Sequence, residues 1–233
     1  MNLNDFRTRA ARVSGMSTSD SGDLALLDSY ANEAVLQFLK NTKINVRTAS
    51  MAVTADQGDY TLDTDILSME DLYVDPASGN EEQLLRKTSS SDITEMRLRE
   101  ASADVSVMYY ALEGAHTLLL YPSPQSSSDT LHMRYVPRPT SSLAATADSP
   151  SATAYGNIPE EFHPTLLSYV LWKACEAEDH RPSEFGLKHQ AEWERQIAKV
   201  RSDLNRKTGV MSAPAKWGTK PRRNFATPGT DLG

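Results

Sequence analysis

The segment from Ile158 to Lys207 reads IPEEFHPTLLSYVLWKACEAEDHRPSEFGLKHQAEWERQIAKVRSDLNRK, and its apolar residues recur at helical spacing. They form a broad stripe in the first half and a narrower seam in the second. The stripe comprises Phe162, Leu166, Leu167, Val170, Leu171, Ala174 and Cys175, and the seam comprises Phe185, His189, Trp193, Ile197, Val200 and Leu204. Because Pro182 interrupts the pattern, we predict two antiparallel helices joined by a short connection. Neither helix can bury its apolar side alone.

Two further helices are predicted near the start of the chain. The first runs from near Asn2 to Gly15, and the second begins after a cap at Asp20 or Ser21 and ends at Asn41-Thr42. Both carry one apolar face, so we expect them to pack on the two helices after Ile158 in one helical core.

Between residues 46 and 139 the pattern becomes that of short strands. Ser50–Thr54 and Tyr60–Leu62 flank a turn and predict a hairpin, and Leu72–Val74 pairs with Gln83–Arg86 across a Pro- and Gly-containing turn. The remaining predictions are a short helix within Ser89–Leu98 and strands at Val105–Leu112, Thr117–Tyr121 and Thr130–Val136. The predicted fold class is therefore α+β, an antiparallel helical bundle with an inserted antiparallel β-sheet or sandwich and an extended C-terminal tail.

These patterns divide the chain into five parts. They are N-terminal helices of a helical domain (1–45), an inserted β-rich domain (46–139), a Ser-, Thr- and Pro-containing linker (140–157), a helical hairpin that completes the helical domain (158–208) and the tail (209–233).

Composition and charge restrict the function classes. Leu, Ile, Val and Phe account for 45 of 233 residues, about 19%, which is low enough to suggest that partners supply part of the burial. The net charge is −7, but residues 209–233 carry +3, which leaves −10 for the rest. Such an acidic body is unlike a nucleic-acid-binding domain. We also predict neither a membrane span nor a signal peptide, since no run of about 18 apolar residues occurs.

The sequence contains none of the common enzyme motifs, so we predict no catalytic activity, no cofactor and no metal site. His189 and Glu192 lie one helical turn apart and could share a metal ion. However, His189 falls on the apolar seam, where a packed histidine is commoner than a metal ligand. Asp59, Asp63 and Asp65 crowd a turn that lacks the glycine and terminal glutamate of a calcium loop.

Two sets of residues are candidates for contacts with partners. Glu176, Glu178 and Asp179 gather at a helix C-terminus, where the helix dipole disfavours each acid by about 0.3–1 kcal/mol. They are either a tolerated surface cluster or a patch that meets a neighbouring subunit. The other candidates for the subunit interface lie on the charged side of the last helix; they are Lys188, Glu192, Arg195 and Lys199.

The tail alternates basic and aromatic residues without apolar periodicity. We expect it to be disordered in the free monomer and to order on a partner, with Trp217 and Phe225 as anchors. The basic residues that would pair with acids there are Lys216, Lys220, Arg222 and Arg223. The alternative is a flexible basic terminus that touches nothing, or DNA without specificity.

The order of these elements resembles the head-to-tail adaptor (connector, or gatekeeper-like tail tubular) proteins of tailed bacteriophages. The resemblance rests on QGDYTLDTDI (57–66), YALEGAHTLLLYPSP (110–124), MRYVPRP (133–139) and the helix after Ile158. It implies a structural protein of the virion's head–tail junction, made in the bacterial cytoplasm. Such a protein would form a ring, usually a dodecamer, dock on the portal protein, contact downstream tail or nozzle proteins and let DNA pass without specific binding.

Two other classes remain open from the residues alone. One is a nucleic-acid-binding protein that uses the basic tail, and its binding would weaken steeply with salt. The other is a tail-associated hydrolase, which would show a deep pocket with converging titratable groups.

Overall fold

The computed structural model of the protein describes residues 1–76, 82–99, 107–114, 116–179 and 184–207. The α-helices in these ranges are α1 (Leu3–Ser14), α2 (Ser21–Thr42), α3 (Ser90–Arg99), α4 (His163–Asp179) and α5 (Glu184–Lys207). Short 3-10 helices at Thr153–Tyr155 and Glu160–Phe162 precede α4. With two sheets between α2 and α4, the fold is α+β, as predicted.

The first two helices begin and end at the residues that the sequence indicated. The Asn2 side chain accepts a hydrogen bond from the Asp5 amide (3.0 Å), and the Asp5 carboxylate accepts one from the Asn2 amide (2.9 Å). Gly15 ends α1 in the left-handed conformation, with φ 87°. Asp20 caps α2 through the amides of Gly22 and Asp23.

Four helices share one core, which confirms the prediction for the helical part of the chain. Helix α4 lies against α1, α2 and α5, and its buried side chains include Leu166, Val170 and Ala174. Trp193 of α5 packs against rings from two other helices, with centroids 5.0 Å from Tyr169 and 6.4 Å from Phe38. We call α1, α2, α4 and α5 the helical region.

Polar contacts between helices fix their relative positions inside this region. Arg7 of α1 donates two hydrogen bonds of 2.6 Å to the Asp28 carboxylate of α2. The Tyr169 hydroxyl of α4 donates to Glu33 Oε1 of α2 at 2.7 Å. Burial, together with this carboxylate, raises the pKa of Tyr169 well above its ordinary value, so the phenol stays protonated as a donor.

The predicted seam of α5 is wrong at its first residue, because Phe185 is 66% exposed. A helix turns about 100° per residue, so a position eight residues before Trp193 lies about 80° around the helix from it. Spacing by fours therefore drifts out of the buried face, and His189 is only partly buried for the same reason. Leu187 is also exposed (52%), so the first turn of α5 presents apolar side chains on its surface.

The described residues between 47 and 137, here called the β region, form two four-stranded sheets. The strands are β1 (Arg47–Ala52), β2 (Asp59–Thr61), β3 (Ile66–Asp75), β4 (Gln83–Leu84), β5 (Arg86–Lys87), β6 (Tyr109–Glu113), β7 (Thr117–Tyr121) and β8 (Thr130–Pro137). The first sheet has the order β1-β8-β3-β4 and the second β2-β7-β6-β5, and every pairing is antiparallel except β5 with β6.

The two sheets pack face to face around an apolar layer. Leu72 and Leu131 of the first sheet and Leu118 and Leu120 of the second are fully buried in it. Helix α3 covers the other face of the second sheet through Ile93, which is also fully buried. The β region therefore has a core separate from that of the helical region.

Strand pairing confirms one prediction and overturns another. Strand β3 pairs with β4 (Tyr73 opposite Leu84), as predicted, and β6 pairs with β7 (Tyr110 opposite Leu120). The hairpin predicted from Ser50–Thr54 and Tyr60–Leu62 does not form, because β1 pairs with β8 and β2 pairs with β7. The residues between them connect two sheets instead of two neighbouring strands.

Residues 140–157 run along the helical region and bond to it. Leu143 is buried in the helical core, and its backbone exchanges hydrogen bonds of 2.7 and 3.0 Å with the Asn32 side chain of α2. The amide of Leu3 donates to Asp148 O at 2.8 Å. At Gly156 φ is 112°, and the backbone passes close to α2. The low apolar content of this segment did not indicate these contacts.

His163, the first residue of α4, is fully buried beside this segment. Its Nδ1 lies 2.8 Å from the Met1 amino nitrogen, and its Nε2 lies 3.1 Å from Ser151 Oγ and 3.3 Å from Ile158 O. Burial lowers the pKa of His163, and the adjacent Met1 ammonium lowers it further. The imidazole is therefore neutral in the folded protein.

None of the described helices has the length and apolar composition of a membrane span.

Candidate functional site

A groove of about 660 Å³ runs between the start of α4 and the second half of α5. We call it the α4–α5 groove. Phe162 and Val200 supply apolar surface in it, and three of the predicted interface residues, Glu192, Arg195 and Lys199, line it. Because the start of α4 faces the end of α5 here, the two helices are antiparallel, as predicted.

The charged side chains of the groove form a hydrogen-bonded group. Arg195 donates to Glu192 through Nε (3.0 Å) and Nη2 (2.7 Å), and Gln196 Nε2 donates to the same carboxylate. These hydrogen bonds lower the pKa of Glu192. Gln196 Oε1 is buried and accepts no hydrogen bond from the described residues. An unmet buried acceptor costs about 1–3 kcal/mol.

Glu176, from the acidic cluster at the end of α4, is held by its own helix. It accepts a 2.6 Å hydrogen bond from Trp172 Nε1 and lies 3.7 Å from Lys173 Nζ. The Lys173 ammonium also sits 4.5 Å from the Trp172 ring centroid. These contacts offset the unfavourable helix dipole, which explains how an acid is tolerated there.

The other predicted interface and tail residues lie outside the groove or outside the described part of the chain. Lys188 is exposed on α5, one turn before Glu192 and outside the groove. The side chains of Glu178 and Asp179 lie outside the described part of the chain. The whole predicted tail lies outside it as well, including Lys216, Trp217, Lys220, Arg222, Arg223 and Phe225.

A smaller cleft of about 240 Å³ lies where the β region meets the helical region. Arg47, Asp65 and Arg138 line it from the β side and Gly156 lines it from the helical side. The Asn45 side chain donates to the carbonyls of Gly156 and Asn157 across this junction. These bonds fix the direction in which the β region leaves α2.

The family match identifies the chain. The SU10 adaptor protein family matches residues 1–217, which include every helix and strand described above. The chain belongs to this family. It is a phage head-to-tail adaptor family, so the predicted resemblance is confirmed and the protein has a structural role as an adaptor. Comparison with curated proteins gave no match.

One arrangement in the adaptor was not visible in its sequence patterns. On the outer face of the first sheet, Ser50 Oγ lies 3.0 Å from His132 Nδ1, and Asp75 Oδ2 lies 3.9 Å from His132 Nε2. Glu82 completes a group of metal-ligating side chains with Asp75 and His132. Register brings His132 close to Asp75, which lies 57 residues earlier in the chain, so no local sequence motif indicates the group.

The serine and histidine of this group do not resemble a hydrolase site. Ser50 and His132 are directly opposite each other on neighbouring strands, on a sheet face that is open to solvent. Backbone N–H groups of a sheet lie in the plane of the sheet, so above its face they do not converge as the donors that stabilise an oxyanion must. The arrangement is better suited to holding a cation than to acyl transfer.

Proposed function

We propose that the protein docks on the portal as a ring and continues the DNA channel towards the tail. The observation that carries this proposal is the adaptor family match, which spans both the helical region and the β region. The ring is proposed as a dodecamer, and downstream tail or nozzle proteins would bind it on the side away from the portal.

The α4–α5 groove is the proposed contact between neighbouring subunits. It combines apolar surface with the charged rim of Glu192, Arg195 and Lys199. A ring needs a heterologous contact, in which the groove of one subunit receives a different surface of the next. Lys188 and the acids Glu176, Glu178 and Asp179 would form a separate part of the contact at the opposite end of the two helices.

The charge of the chain suits a channel through which DNA slides. Residues before 209 carry a net charge of −10, and repetition of this charge around a ring produces a strongly negative surface. Such a surface repels phosphates, so DNA would pass without being bound.

The tail is the proposed portal anchor. Its 25 residues reach about 80–90 Å when fully extended, which is enough to leave the subunit and run along another protein. Trp217 and Phe225 would fill apolar pockets of the portal, and Lys216, Lys220, Arg222 and Arg223 would pair with its acids.

Negative-stain images of the purified chain, alone and mixed with its portal, test the ring. We expect closed rings on the portal. Monomers that never assemble with the portal would contradict the proposal. Arg195→Ala combined with Lys199→Ala should weaken ring formation, whereas Arg201→Ala, which removes an exposed charge of the same helix outside the groove, should not.

Deletion of residues 209–233 tests the tail separately. The truncated chain should remain folded and lose attachment to the portal. Normal portal binding by the truncated chain would rule out the anchor. If the deletion instead removes salt-sensitive DNA binding and leaves portal binding intact, the tail is a nucleic-acid contact.

A further inference from the structure

We propose that Asp75, Glu82 and His132 form a binding site for one Zn²⁺ ion on the outer face of the first sheet. The site lies at the end of the sheet where β3 and β4 meet, on the strand face opposite the apolar layer.

The distances between the donor atoms suit a metal ion after small side-chain movements. One ligand atom from each of the three residues lies within 4.8 Å of the others, and His132 Nε2 lies 3.9 Å from Asp75 Oδ2. Tetrahedral zinc with ligands at about 2.1 Å places donor atoms about 3.4 Å apart. Contraction by about 0.5–1.5 Å is within reach of side-chain rotation, because Asp75 and Glu82 lie at the surface.

Strand register supplies a reason for a cation at this place. Val74 pairs with Gln83 at the end of the ladder, and the next residue of each segment, Asp75 and Glu82, brings a carboxylate oxygen within 4.8 Å of the other. Like charges this close on neighbouring strands destabilise a sheet. No Lys or Arg among the described residues forms an ion pair with either carboxylate. A divalent cation would convert this repulsion into attraction.

The histidine is oriented as a ligand by its neighbours. Ser50 Oγ lies 3.0 Å from Nδ1, so a hydrogen bond from Nδ1–H to the hydroxyl leaves the Nε2 lone pair directed at the carboxylates. The Tyr73 ring lies beside the imidazole, with centroids 5.9 Å apart and planes at 30°. A second hydrogen bond that fixes the tautomer and a packed ring are the outer contacts that metal-binding histidines use.

The donor set favours zinc over the hard cations. Mg²⁺ and Ca²⁺ prefer oxygen ligands alone, whereas an imidazole beside carboxylates suits Zn²⁺. Three protein ligands leave one position for water. The ion would tie Glu82, which follows residues 77–81, to the paired strands β3 and β8.

Titration of the metal-free full chain with Zn²⁺ in a calorimeter tests the site. We expect one ion per chain and a higher unfolding temperature in excess Zn²⁺, with no such increase in Mg²⁺. Replacing Zn²⁺ with Co²⁺ should produce the visible absorption of a low-symmetry cobalt site. Failure to bind one Zn²⁺ per chain at micromolar concentration would overturn the proposal.

Substitutions identify the ligands. Glu82→Gln and His132→Gln should each lower Zn²⁺ affinity at least about tenfold. Asp71→Asn is the matched control, since Asp71 lies on the same face of β3 but pairs with Arg134 at 3.1 Å. Because Glu82 is exposed, its variant decides the matter if the His132 variant does not fold. Unchanged affinity in both variants would mean that zinc binds elsewhere, and would refute the site.

Discussion

Replacement of Trp193 by alanine is the most direct test of the helical core. The side chain belongs to a residue only 6% exposed and lies between Tyr169 of α4 and Phe38 of α2. It therefore joins three helices. The substitution therefore leaves a cavity where the three helices meet.

The expected loss of stability follows from the area that the Trp193 side chain buries. A tryptophan buries up to about 250 Å², which at about 25 cal/mol/Å² gives an upper value of about 6 kcal/mol. Large-to-small core substitutions of this kind cost about 3–5 kcal/mol. For a chain of this length we expect the unfolding temperature to fall by about 6–20 °C.

Thermal and urea unfolding followed by far-UV circular dichroism measure the loss. Phe185→Ala is the control, because it removes an aromatic ring from the same helix at an exposed position and should change stability by less than about 0.5 kcal/mol. Equal losses in the two variants, or a loss below about 1 kcal/mol for Trp193→Ala, would refute the packing of α5 described here.

Three further measurements probe single contacts. Because the buried His163 has a lowered pKa, the unfolded chain binds more protons; stability should therefore fall as pH drops below about 6.5, and His163→Gln should flatten that part of the pH profile. Gly156→Ala should cost more than Gly114→Ala in urea unfolding, since both have positive φ but only the first would press a methyl group against α2. Tyr169→Phe should cost about 1.5–3 kcal/mol by losing its hydrogen bond to the Glu33 carboxylate, and Glu33→Gln, which keeps an acceptor, should cost less.

The helical region could be predicted because its signals are local. Caps at Asn2 and Asp20, the glycine at Gly15 and apolar residues at helical spacing all act within a few positions of the chain. A spacing of four does not predict burial at Phe185, because the period of the helix is 3.6 residues.

The pairing of strands in the β region, in contrast, could not be predicted from local signals. Turn residues at 55–58 indicate that the chain bends, but they do not say which strand lies beside β1. That choice depends on apolar faces that come together across some 80 residues, as in the pair Met51 and Leu131. The same long-range register assembles Asp75, Glu82 and His132, which explains why the sequence patterns predicted no metal site. Among the candidate interface residues, Glu192, Arg195 and Lys199 line the groove because they share one face of α5.

The pairing of β1 with β8 has a consequence for how such proteins diversify. Arg47 lies directly opposite Tyr135, so the chain leaves the helical region and returns to it on adjacent strands, about 5 Å apart. For the helices, the insert of some 90 residues therefore acts like a short loop, because its two ends already lie side by side. Grafting a longer, shorter or unrelated insert onto this two-strand stem would alter the closure entropy of the helical core only slightly. The distal part of the insert is thus free to change while the helices that hold the stem stay the same.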